Sequence, residues 1–111
     1  MDLFEQARAG YDEARAALEE SVTLCISVGD RWGLGYAYRG LGLVEQAQGE
    51  HQLALDMFRK SLNTLTELGA RQDVARVLAE MSRSVFTLGI NAEAGRTWRE
   101  SLMPTAWLYL E

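Results

Sequence analysis

His51 and Cys25 are the only histidine and the only cysteine in the chain. A metal site of the usual kind draws three or four ligands from such residues, so neither has the companions to build one. A lone cysteine excludes an intramolecular disulfide and suits a reducing compartment. Lying on the apolar side of a helical pattern, Cys25 reads as a core thiol packed as a small hydrophobe. His51 directly follows Glu50 at a helix start and reads as an exposed first-turn residue. Ser61 and Ser101 are candidate nucleophiles by residue type, but both fall where a small side chain is needed, so close packing explains them without catalysis. The run GLGYAYRGLG, residues 33–42, has glycines but lies inside a helical pattern. A phosphate cradle needs backbone N–H groups freed at a strand-to-helix turn, so these glycines read as points of close helix contact. The sequence therefore points to a non-enzyme with no cofactor and no bound metal. Its formal net charge of −5 repels phosphate and disfavours nucleic-acid binding.

The elements that position these residues are helical and repeated. From Tyr38 to Leu62 two helical patterns meet at Gly49-Glu50. Apolar and small residues recur at three-and-four spacing, at Tyr38, Leu41, Gly42 and Val44, then at Leu53, Ala54, Met57, Phe58 and Leu62. Shifting the chain by 40 residues lays it on itself: Glu5 falls on Glu45, Gln6 on Gln46, Ala14 on Ala54, Leu18 on Phe58 and Ser21 on Ser61. A further shift of 40 places Gly49 on Gly89, Ala54 on Ala94, Phe58 on Trp98 and Ser61 on Ser101. Small residues at Gly42 and Ala54 let two helices approach, and Phe58 fills the space they leave.

This pattern resembles the tetratricopeptide repeat, a helix-turn-helix unit of about 34 residues. The places of its aromatic, Leu-Gly, large residue, turn glycine, alanine, aromatic and small residue are held by Tyr38, Leu41-Gly42, Glu45, Gly49, Ala54, Phe58 and Ser61. Glu45 departs from the usual tyrosine, and no proline closes the unit. Similar long repeats occur in bacterial regulators, signalling ATPases and kinesin light chains. The resemblance implies an all-α fold of antiparallel helix-turn-helix repeats, stacked as a short right-handed superhelix. It covers 1–111 as one domain, with a partial repeat at 1–28 and repeats at 30–68 and 70–110. The expected segments are Asp2 to Val28 with a break near Gly10, Arg31 to Gln48, Glu50 to Leu68, and Arg71 to Leu88 closed by Gly89. A fifth is capped by Asn91. Asp30 caps the second segment and Gly29 ends the first.

In such arrays the first helix of each unit lines a concave face. The resemblance places Tyr36, Arg39, Leu43 and Gln46 there from one unit, and Arg76, Ala79, Arg83 and Phe86 from the next. Arginines in the groove of an acidic protein suit a carboxylate-bearing peptide, because guanidinium grips carboxylate bidentately. Tyr36, Leu43 and Phe86 supply apolar pockets. The plainer reading has the arginines solvated or paired with Glu45 and Glu80, and Phe86 in the core. The function expected is an interaction or scaffold module for a protein or peptide, an acidic one among the candidates, within a larger bacterial regulatory or signalling protein. The alternatives are self-association through the opening half-unit and the tail, and an anionic ligand sensor. Pro104 interrupts the last helical pattern, and Trp107, Leu108 and Leu110 beyond it form an apolar tail that is a candidate homo-oligomer interface. The opening MDLFEQARAG is acidic with no long apolar run, and no window reaches the roughly 18 apolar residues of a membrane span. A cytoplasmic protein without membrane partners is expected.

Overall fold

The computed structural model describes residues 1–91, which form four helices: α1 (Leu3–Val28), α2 (Arg31–Ala47), α3 (His51–Glu67) and α4 (Arg71–Asn91). The described residues contain no strand. The expected fifth segment, Pro104 and the tail lie outside them.

One turn chemistry joins the helices three times. Gly29, Gly49 and Gly69 take φ of 74°, 80° and 71°, a left-handed conformation that glycine enters without a side-chain penalty. The residue after each glycine then donates its N–H back into the preceding helix: Asp30 to Cys25 O at 2.9 Å, Glu50 to Glu45 O at 2.9 Å, and Ala70 to Leu65 O at 3.0 Å. This satisfies carbonyls that the helix end would otherwise leave open. On the far side of the first turn, Asp30 caps α2 by accepting the Gly33 N–H at 2.9 Å. Asp2 caps α1 in the same way through the Glu5 N–H.

Two expected breaks are absent. Gly10 lies inside α1, which runs unbroken for 26 residues, and Gly89 lies inside α4. Neither glycine takes a positive φ. Glycine in a helix interior costs only about 1 kcal/mol relative to alanine. It permits a turn without enforcing one.

Side-chain pairs fix the packing directions. Arg15 meets Glu45 and Leu18 lies by Gly40, while Gly35 and Gly42 lie against Leu65 and Phe58. In both sets the numbers fall on one helix as they rise on the other, so α1–α2 and α2–α3 are antiparallel. α2 and α4 run parallel, through Tyr36–Asp73, Arg39–Glu80 and Gln46–Ser84. The core lies between α3 and its neighbours and contains Leu55, Phe58, Leu65, Val77 and Met81. Cys25, expected in the core, is half-buried beside Gly33, because among the described helices α1 packs chiefly on α2. Ser61 is fully buried and donates to Gly35 O at 2.7 Å, so its hydroxyl serves the α2–α3 contact.

Candidate functional site

Because α2 and α4 run side by side in the same direction, each turn of one offers a side chain to the matching turn of the other. At the lower end the Tyr36 hydroxyl donates to Asp73 Oδ2 at 3.1 Å. Trp32 extends this edge, its ring 6.4 Å from that of Tyr36 and tilted by 43°. One turn up, Arg39 Nε and Nη2 each donate to a different Glu80 carboxylate oxygen at 2.6 Å, a two-point grip. At the upper end Gln46 Nε2 donates to Glu80 O at 2.8 Å and to Ser84 Oγ at 2.9 Å. Ser84 Oγ also lies 2.8 Å from His51 Nδ1. His51 is thus half-buried and bonded rather than an exposed first-turn residue, because the start of α3 lies against the far end of α4.

The electrostatics follow these contacts. The hydrogen bond to Asp73 holds the Tyr36 hydroxyl above the ordinary tyrosine pKa; desolvation and the carboxylate charge act the same way, and Arg76 opposes them. The Glu80 hydrogen bond raises Arg39, against a smaller effect of burial. Both shifts favour the neutral phenol and the cationic guanidinium that these hydrogen bonds require.

The expected groove residues separate into two groups. Tyr36, Arg39 and Gln46 join α2 to α4. Gln46 is buried, and Leu43 is half-buried against the core. Arg76, Arg83 and Phe86 are exposed along α4, with Phe86 at 69% exposure and therefore not in the core. Among the described residues Arg76 and Arg83 enter no ion pair. Trp107, Leu108 and Leu110 lie outside the described residues. Asp73 is the member that the residue pattern did not single out: it is recognisable only once the offset between α2 and α4 is known.

Glu45 does not pair with a groove arginine. It is buried on the other side of α2, where Arg15 Nε donates to Glu45 Oε1 at 2.6 Å and Arg15 Nη2 donates to Gln48 Oε1. That pair explains the departure from tyrosine at this position, since the arginine arriving from α1 needs a carboxylate. It sits in a cleft of about 860 Å³ between α1, α2 and α3, with Leu41, Leu53 and Met57 as apolar lining and the Lys60 ammonium 5.7 Å from the Tyr38 ring centre. The cleft carries both signs of charge, and its central arginine is already neutralised. The α2–α4 face differs in leaving two guanidinium groups without a carboxylate among the described residues.

Among the described residues no cluster of three His, Cys, Asp or Glu side chains is placed to hold a metal ion. No described helix is long and apolar enough to cross a membrane. A family model for the tetratricopeptide repeat matches residues 3–67, which contain α1, α2 and α3. No curated protein and no solved structure gave a match.

Proposed function

The chain belongs to the tetratricopeptide repeat family, and from that premise we propose that its α2–α4 face binds an acidic peptide of a partner protein. Repeats of this family generally mediate protein–protein interaction or scaffolding, and the family is typically non-catalytic. The observation that carries the proposal is the pair Arg76 and Arg83, two exposed guanidiniums on one stripe of α4 in a chain of net charge −5.

Seven residues of helix separate the two by about 10 Å. Carboxylates three residues apart on a peptide in the polyproline II conformation lie on one face, separated by about 9 Å. Each guanidinium can then take one carboxylate with two hydrogen bonds. Arg39 adds only Nη1, the nitrogen that Glu80 leaves unengaged. Tyr36 and Trp32 at one end and Phe86 at the other provide exposed apolar surface for flanking side chains. Gln46 and Leu43 support the wall. The 40-residue period, similar to that of bacterial regulators and signalling ATPases, supports a place within a larger protein of that kind.

The test is selection of binders from a random peptide display library. The selected peptides should be enriched in Asp and Glu at three-residue spacing, and R76E with R83E should weaken them at least tenfold with helicity unchanged. Peptides without acidic enrichment, or binding that survives both reversals, would remove the proposal.

A further inference from the structure

α1 and α3 both pack on α2 without forming a packed pair with each other, and the cleft of about 860 Å³ runs between them. The α2–α4 face uses none of its residues. The middle of the cleft is apolar and electrically closed. Leu41 is buried at the floor, whereas Leu53 on the α3 wall is 50% exposed. Arg15 beside them has every nitrogen engaged, Nε by Glu45, Nη1 by Asp12 and Nη2 by Gln48.

The open charges lie at the two ends. Arg8 and Glu19 on α1, and Glu50 and Lys60 on the α3 wall, are all exposed and all line the cleft. Among the described residues none of the four enters an ion pair. Arg15 is level with Glu45, and Phe58 with Gly42. Arg8 therefore stands across the cleft from Glu50 near the α2–α3 turn, and Glu19 stands across from Lys60 about 15 Å further along. Each wall carries one charge of each sign, and the two walls carry them in opposite order. Neither facing pair closes to ion-pair distance.

We propose that this cleft binds an amphipathic α-helix of a partner protein, apolar through its middle and charged at both ends. A compact ligand that reaches one end leaves the other, about 15 Å away, unanswered. An extended peptide fits poorly for a different reason. The walls and floor are helices whose own N–H and C=O groups are internally bonded, so a strand laid on Leu41, Leu53 and Met57 leaves the backbone groups facing them unpaired. A helix arrives with its backbone satisfied and offers a stripe of side chains to the groove. Met57, with a flexible thioether, adapts the wall to that stripe.

The charges specify the rest. One edge of the bound helix needs an acidic residue and, three turns later, a basic one; the other edge needs the reverse. Turning the helix end for end exchanges the walls as well as the ends, so the requirement is unchanged. Charge thus sets where the helix sits and leaves its direction to the apolar side chains. A helix with all four charges reversed matches in neither direction. The partner so defined is electrically balanced, which separates it from the acidic peptide of the α2–α4 face.

Two designed helical peptides of about 15 residues test this on the full chain by fluorescence anisotropy, alike in their apolar stripe and opposite in all four edge charges. One should bind in the micromolar range and the other at least about tenfold more weakly. Protein carrying Arg8→Glu, Glu19→Lys, Glu50→Lys and Lys60→Glu should invert that preference with helicity unchanged, since all four positions are exposed. Leu53→Glu should abolish both complexes. Equal binding of the two peptides, no binding of either up to about 300 μM, or a preference that the four reversals leave unchanged overturns the proposal. A proline-interrupted peptide of the same composition that binds equally well also overturns it, giving the cleft to an extended chain. A dimer of the chain alone in light scattering that Leu53→Glu dissolves overturns it too, giving the cleft to a second copy.

Discussion

A β-carbon placed on Gly42 would lie 2.6 Å from the ring of Phe58. That distance is well inside van der Waals contact, and Phe58 is itself fully buried, so the ring or a helix must shift to make room. The α2–α3 seam therefore depends on the absence of one side chain and the size of another.

Gly42→Ala should accordingly lower stability although alanine is the better helix former. Overpacking typically costs about 1–3 kcal/mol, against a helix-propensity gain of about 1 kcal/mol. The net loss expected is up to about 2 kcal/mol, read as a lower urea midpoint with an unchanged slope. A rise in the midpoint would show that Phe58 can be accommodated elsewhere.

On the other side of α2, Glu45 and Asp12 both contact Arg15, but only Glu45 is buried. Glu45→Ala leaves Arg15 without its main partner and should cost about 1.5–3 kcal/mol, the range for hydrogen bonds to charged groups. Asp12→Ala removes an exposed pair and should cost less than about 0.5 kcal/mol. Denaturant titration of the two variants gives the comparison directly. Equal losses would mean that the buried pair contributes no more than the surface one.

Tyr36 gives a pH dependence with a definite sign. Its folded pKa is raised by the hydrogen bond to Asp73, so the folded protein holds this proton more tightly than the unfolded chain. The resulting stability is fully present below the unfolded tyrosine value of about 10 and is lost as pH rises through the folded value. In ultraviolet titration of the four tyrosines, one component should ionise late. Tyr36→Phe should delete that component and Asp73→Asn should shift it downward. A late component that persists in Tyr36→Phe would belong to another tyrosine.

The local features of the fold were legible because their causes are local. Gly29, Gly49 and Gly69 mark turns because a left-handed residue is needed there, and Asp30 caps because its carboxylate reaches the Gly33 N–H three residues on. The close contact at Gly42 and Phe58 followed from the 40-residue register. Other features needed the assembled helices. Glu80 was foreseeable as a partner for the groove arginines, but which side chain meets which was not: the partners of the α2 side chains are 37, 41 and 38 residues away, for Tyr36–Asp73, Arg39–Glu80 and Gln46–Ser84. These offsets depend on how α4 slides along α2, which no single-helix pattern contains. The same reason hid the burial of His51 and the pairing of Arg15 with Glu45. Gly10 and Gly89 show the opposite limit, since a glycine aligned with a turn can stay helical when nothing forces the chain to reverse.

The two exposed arginines of α4 should act together on an acidic ligand. Arg76→Gln and Arg83→Gln alone should each weaken a selected peptide about five- to tenfold, and raising salt should weaken the wild-type complex more than either variant. Fluorescence anisotropy across a salt series checks this. Identical salt dependence in all three proteins would mean that the arginines do not contact the peptide's charges.

The most direct measurement is an amide nuclear magnetic resonance titration of the isotopically labelled chain with a selected acidic peptide. The proposed site predicts that shift changes concentrate on α2 and α4, around Tyr36, Arg76, Ala79 and Arg83, with Arg76 and Arg83 side-chain signals moving in step. Changes concentrated instead around Leu41, Leu53 and Met57, in the cleft between α1 and α3, would contradict it.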